Sequence, residues 1–331
     1  MLVSLTQNEF VGSLTNLAIK TLVNKTIADK VSPLVQSCMF DAVEYGDKAL
    51  LISVDTLEVS EYSETSSLLS SVKPTLDEQA LSTTDKKKIQ VTLNRYLMQG
   101  AFANEYSIAD AFAVILSMLQ KTKNIYMYKK VVKAYEDYAG GLNNDGTPKP
   151  MLSTQTKVVN MVDVSAVEGE TNKKAAREFN SNQIYKAILE IQQGMCSPTR
   201  LYNELGFETM SDENDLKLVI NGYFMNEMIV ETMATLLNSS KISDNEKWKE
   251  THVIPEVQFA KSETKTTTIG WFGDRNKYQI RPRFEVGTSF FDASTLNQND
   301  WLHFWLISGF VNGYPLVKLV ANYVDPAEIV E

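Results

Sequence analysis

Apolar and polar residues recur along this chain with two different periods, and the changes of period mark its elements. Leu14, Leu17, Ala18 and Leu22 return at three- and four-residue spacing, which predicts an amphipathic helix before Pro33 interrupts the rhythm. Residues 1–47 therefore read as an N-terminal arm. From Asp47 the pattern shortens. Lys48 to Val59 is rich in Leu, Ile and Val with Asp55 and Glu58 interspersed, as in a half-exposed strand. A polar Ser/Thr/Glu-rich stretch, Ser60 to Thr84, follows with one Pro and no Gly. After Lys86, Lys87 and Lys88, the residues Ile89, Val91 and Leu93 alternate with Gln90, Thr92 and Asn94, a period of two that predicts a returning strand. Strand, long polar excursion and strand thus make one ribbon. A loop of this length is functional or disordered, so it calls for a reason.

The helical period dominates next. Glu105 to Gln120 places Ile108, Phe112, Ile115 and Leu119 on one face and is apolar on most others, so it is expected to be covered by neighbours. Asn124 to Ala139 repeats the period through Ile125, Tyr128, Val132 and Tyr135, and Gly140 with Gly141 ends it. Beyond Pro148 and Pro150, Thr171 to Met195 reads as a helix carrying Phe179, Ile184, Ala187, Ile188 and Ile191. Leu216 to Ile220 reads as a buried strand, Glu227 to Leu237 as a helix and His252 to Phe259 as a strand. This is a compact α+β module over about 151–265. The last third is β-rich, with strands expected at Ile269 to Phe272, Tyr278 to Arg283, Trp301 to Ile307 and Leu316 to Val324.

Composition narrows the function classes. The 331 residues are 44% hydrophobic and 22% charged, the balance of a folded chain with a sizeable core. The formal charge is −9, and Arg is confined to positions 95, 177, 200, 275, 281 and 283, so few bidentate phosphate forks are available. An extended nucleic-acid grip is disfavoured. Cys38 and Cys196 lie far apart and form no C-x-x-C motif, which fits reduced packing thiols. The first twenty residues hold Glu9 and no basic residue before Lys20, so a cytosolic start is expected. The apolar runs around Ala111 to Leu119 and Trp301 to Val311 fall short of the ~18–20 residues that cross a bilayer. No membrane partner is expected.

Catalytic and ligand-binding signatures are sparse. His252 and His303 are the only histidines, too few for a His-based metal cluster without recruited carboxylates. Cys196 with His252 is the one nucleophile pair that spacing leaves open, although Cys196 sits at a helix end beside Ser197 and Pro198, where a packing thiol fits better. No phosphate loop, dinucleotide fingerprint or nucleophile elbow occurs. Asp212, Glu213 and Asp215, and the turn Asn143 to Gly146, lack the spacing of a calcium loop. No catalytic, cofactor or metal residue is assigned.

The order of these pieces resembles the tailed-phage major capsid protein of Hong Kong 97 type. Two segments are closest to the shell proteins of small short-tailed phages, the picovirus-type podophages: Asp215 to Phe259, and Trp301 to Val324 with its aromatic run. Lys86 to Phe112 resembles the return of that family's E-loop into its spine helix. The resemblance implies an α+β, Hong Kong 97-like capsid fold. Its parts would be an N-terminal arm (1–47), an E-loop hairpin (48–94), a peripheral domain with a long spine helix (95–150), an axial domain (151–265) and a β-rich return with a C-terminal tail (266–331). It further implies a non-enzymatic head protein that assembles with itself into the pentamers and hexamers of an icosahedral shell around double-stranded DNA. Such a chain would work in the virion, after assembly in the bacterial cytoplasm. A separate scaffolding protein and a portal are expected partners, because residues 1–47 are too short to hold a scaffold of their own. DNA would be touched only weakly, since a −9 wall suits enclosing phosphates without holding them.

On this reading the E-loop lies on a neighbouring subunit, with Glu61, Tyr62, Glu64, Leu68, Leu69, Lys86, Lys87 and Lys88 as intersubunit residues. A ribbon that cannot bury its own two faces is stabilised by such a neighbour. Encapsulin-type compartments share the fold and are the alternative, although nothing here marks a cargo groove. A small cytosolic enzyme is a further alternative, and would need a convergent set of acids or a thiol that the sequence does not display.

Overall fold

The computed structural model describes residues 31–43, 46, 48–57, 59, 73–94, 105–138, 161–163, 181–226, 250–255, 267–292, 294–295 and 297–321. Three helices and nine strands lie among them, in the order α1 (Pro33–Gln36), β1 (Lys48–Val54), β2 (Leu76–Asn94), α2 (Glu105–Asp137), β3 (Met161–Asp163), α3 (Ser181–Met195), β4 (Leu216–Asn221), β5 (Glu250–Ile254), β6 (Thr267–Asp274), β7 (Tyr278–Asp292), β8 (Asn297–Phe310) and β9 (Leu316–Ala321). Residues 222–226 are also helical. The chain divides into two units, Met1–Ala49 with Leu81–Val131 and Gln279–Gly309, and Leu50–Ala80 with Val132–Tyr278 and Phe310–Glu331. Strands β1, β2, β7 and β8 and helix α2 each contribute residues to both.

In the first unit β2 pairs antiparallel with β8 from Thr83 opposite Ile307 to Asn94 opposite Asn297, with an irregularity between Thr83 and Asp85. Over 297–306 of β8 the even positions Gln298, Asp300, Leu302, Phe304 and Leu306 are buried and the odd ones half-buried, as a strand's two-residue period dictates. The buried face meets α2. Tyr126 stands edge-on to Phe304 with ring centroids 5.7 Å apart, and Lys123 Nζ donates to Glu285 Oε2 at 2.6 Å. Lys130 Nζ makes a second ion pair with Asp85 and donates to Thr84 Oγ1 at 3.0 Å. Burial pushes the Lys130 ammonium down to about 8; the Asp85 carboxylate opposes that shift by favouring the charged form. On the outer side of β7, Phe40 N–H donates to Ile280 O, Ile280 N–H to Cys38 O and Val43 N–H to Pro282 O. Pro282 has no N–H to offer, and an edge strand is where a sheet accepts a proline.

The second unit holds a five-stranded mixed sheet, β3-β9-β6-β4-β5, parallel at its two outer pairs and antiparallel inside. Every residue of β4 is buried, because both faces of this sheet are covered. On one face Leu216, Leu218, Ile220, Val317 and Leu319 pack with Ile184, Ile188, Ile191 and Met195, which recur at three- and four-residue spacing on α3. On the other, the end of α2 brings Tyr135 against Trp271, Tyr278 and Phe310 at centroid distances of 5.5, 5.7 and 5.8 Å. Gly270 lies where β6 runs so close to β4 that a Cβ would stand 2.4 Å from Val219 O.

Several boundaries differ from the sequence expectation. The two helices expected at 105–120 and 124–139 are one helix of 33 residues. The polar break at Lys121 to Lys123 contains no Gly or Pro, and Lys123 turns inward to Glu285. Strand β2 starts at Leu76, well inside the polar excursion, since Gln79 is held by Phe310 O at 2.7 Å and by Asn312 N–H at 2.9 Å. Strand β1 stops at Val54 and β7 runs on to Asp292. The helix expected at Glu227 to Leu237 lies outside the described residues, as do positions 171–180 of the helix expected at Thr171 to Met195.

Candidate assembly interface

Among the described residues strand β1 has only β2 beside it and stands at a sheet edge. Its period of two buries Ala49 and turns Leu50, Ile52 and Val54 outward, 58, 64 and 58% exposed, with Leu76 of β2 at 59%. A row of large apolar groups on an open edge is a surface that isolated proteins avoid and assembling ones use.

The root of the excursion between β1 and β2 is clasped to the loop that follows α3. Asp55 N–H donates to Thr75 O at 3.0 Å, which closes the ribbon. Asp55 Oδ1 accepts from the backbone N–H groups of Glu208 and Thr56, each at 2.9 Å, and Oδ2 accepts from Arg200 Nη1 at 3.0 Å. Thr56 Oγ1 donates to Glu208 Oε2 at 2.7 Å. The Glu208 N–H, followed by the Arg200 and Thr56 donors, holds the Asp55 carboxyl below its ordinary range. Gly313 lies against the same ribbon, for a Cβ there would stand 2.4 Å from Ser53 Oγ.

Of the residues expected at an intersubunit contact, Lys86, Lys87 and Lys88 are exposed on β2 opposite Trp305, Phe304 and His303. Lys86 Nζ lies 4.9 Å from the Trp305 ring centroid, Arg283 Cζ at 5.8 Å, and Phe284 stacks beside the same ring at 5.0 Å. Phe284, Val286 and Phe290 point outward at alternate positions of β7, 43, 38 and 61% exposed. Glu61, Tyr62, Glu64, Leu68 and Leu69 lie outside the described residues. Sequence reasoning missed Asp55, Arg200 and Glu208, whose union depends on residues about 150 positions apart. It also missed the β7 row, whose signal was the alternation from Phe284 to Phe290.

Cys196 and His252, the candidate nucleophile pair, each meet other groups. The Cys196 thiol packs against the α3 core, and burial with nearby Glu213 and Asp212 pushes its pKa up, the reverse of an activated nucleophile. His252 Nε2 lies 2.8 Å from Glu250 Oε1 on its own strand. Among the described residues no group of three His, Cys, Asp or Glu could hold a metal ion, and no helix is long and apolar enough to cross a membrane.

A profile of the Phi29-like phage major capsid protein family matches residues 4–320. The chain belongs to that family. This capsid protein is thus a structural component of a phage head, a subunit that assembles with its own copies into an icosahedral shell. Its fold is similar to a chain in a structure of native bacteriophage P68, with a TM-score of 0.61 at 9% identity over 89% of this chain and 86% of that one. It is similar also to a chain in the capsid of Staphylococcus phage Andhra (0.58, 11%, covering 85% and 82%) and to one in the capsid of Cyanophage P-SCSP1u (0.58, 12%, covering 92% and 94%). At such identities the likeness is one of fold. No curated protein sequence matches the capsid protein.

Proposed function

We propose that this capsid protein builds its shell in the Hong Kong 97 manner, as pentamers and hexamers, with an architecture like that of the picovirus-type podophage shells. Residues 1–47 serve as the arm, 48–94 as the E-loop, 95–150 as the peripheral domain with α2 as spine, 151–265 as the axial domain and 266–331 as the β-rich return and tail. The observation that carries this reading is the apolar row Leu50, Ile52, Val54 and Leu76 on an open edge at the base of the excursion. The residues between β1 and β2 reach a neighbouring copy through Glu61, Tyr62, Glu64, Leu68 and Leu69. Lys86, Lys87 and Lys88 offer cations to a neighbour's acidic segment of the same kind. Assembly takes place in the host cytoplasm with a separate scaffolding protein and a portal, and the packaged DNA is met without tight binding.

Replacing residues 60–72 by a short Gly/Ser linker leaves the Asp55 to Thr75 closure in place. The subunit is expected to fold with an unchanged melting profile and to form no closed shells. Normal shells from this variant would refute the bridging role.

A further inference from the structure

The outward stripe of α2 has a composition that neither its packing nor the intersubunit ribbon uses. From Ala111 to Tyr135 the chain holds five lysines, at 121, 123, 129, 130 and 133, and no carboxylate. Two of them, Lys123 and Lys130, are consumed by Glu285 and Asp85 beneath the helix. Lys133 lies 3.6 Å from Asp137 on the surface. Lys121 and Lys129 are exposed, and between and beside them Met118 and Ile125 stand 55 and 47% exposed. Met118 and Ile125 are two turns apart, about 10 Å along the axis, so they share one stripe flanked by the two cations.

We infer that this stripe docks an acidic amphipathic helix of a partner protein, its apolar residues covering Met118 and Ile125 and its carboxylates meeting Lys121 and Lys129. Two large apolar groups in the centre of the stripe are of no use to a phosphate backbone, whereas helix-on-helix packing buries them at two-turn spacing. A carboxylate-free segment that exposes Lys121 and Lys129 beside two apolar groups selects a partner that is both anionic and amphipathic. The inference rests on the reading that the shell assembles with a separate scaffolding protein, which is the kind of partner that could supply such a helix.

The test uses unassembled full-length subunits and three labelled probes: a 28-residue Leu/Glu heptad peptide, its Leu/Lys counterpart and a 30-base-pair DNA duplex, read by fluorescence anisotropy. The Leu/Glu peptide is expected to bind the native chain and to lose about tenfold or more in affinity with K121E/K129E and again with Ile125→Gln. K121E/K129E is expected to gain affinity for the Leu/Lys peptide, an outcome that a misfolded variant would not produce. Absence of binding, affinity unchanged in both variants, or DNA bound more tightly than the peptide through Lys121 and Lys129 alone would each overturn the inference. Electron microscopy of assembly reports separately on the shell reading, so failure of one leaves the other measurable.

Discussion

Substituting Ile52 by Lys separates the stability of the subunit from the stability of its contacts. Ile52 is 64% exposed, so covering what remains is worth about 1.5–2 kcal/mol at the usual coefficient for apolar area. Leu50, Val54 and Leu76, at similar exposure, bring the whole row to about 5–7 kcal/mol if a neighbour covers it fully. The lysine removes the Ile52 share and adds the cost of desolvating an ammonium, or of bending it away from the contact. A combined loss of about 3 kcal/mol weakens each contact by about two orders of magnitude. Within one subunit the same change exposes nothing new, and its effect on unfolding is expected to stay within about 0.5 kcal/mol. Urea denaturation of dispersed subunits and sedimentation velocity under assembling conditions read the two quantities independently. Ile52→Lys that assembles at native concentrations, or that costs several kcal/mol in the isolated subunit, would show that this row is not an interface.

Three further predictions concern the scaffold that presents this row. Ile188→Ala, at a fully buried position between α3 and the mixed sheet, is expected to destabilise the subunit by about 2–5 kcal/mol in urea denaturation, as a cavity-forming change does. Gly270→Ala forces a methyl group to 2.4 Å from Val219 O and is expected to cost at least as much or to abolish soluble expression, whereas alanine at exposed Met210 is expected to do neither. Asp55→Asn removes a carboxylate whose pKa is lower in the folded chain than its ordinary value of 3.8. The carboxylate's contribution is therefore complete above about pH 4 and disappears as the pH falls through the folded value. The native chain is expected to be more stable than Asp55→Asn at pH 7, with the gap closing towards pH 3; a gap that persists or widens on acidification would contradict the clasp.

Two inner strands of the mixed sheet were legible because each is a short, mostly apolar run: Leu216 to Ile220 and Ile269 to Phe272 fall inside β4 and β6. The long helix was legible in kind and misjudged in extent. Its polar stretch at Lys121 to Lys123 reads as a break, while in the structure Lys123 is buried by its ion pair with Glu285. The start of β2 was hidden for a related reason. Residues 76–84 are mostly polar, and what makes them a strand is pairing and the grip on Gln79, neither of which is a local property. The candidate interface was half legible. The charge run Lys86 to Lys88 stands out in any reading, but the apolar rows of β1 and β7 resemble half-buried strands until one sees that their apolar side faces outward. The Asp55 clasp joins positions far apart in the chain and leaves no mark on either segment alone.

The central claim, that this chain is a shell subunit, is tested most directly by electron microscopy of the full-length protein, purified alone and after co-expression with the head-assembly proteins of its phage. Closed particles with icosahedral symmetry built from this subunit are the predicted result. Dispersed monomers under every condition, with the subunit folded by thermal unfolding, would contradict it.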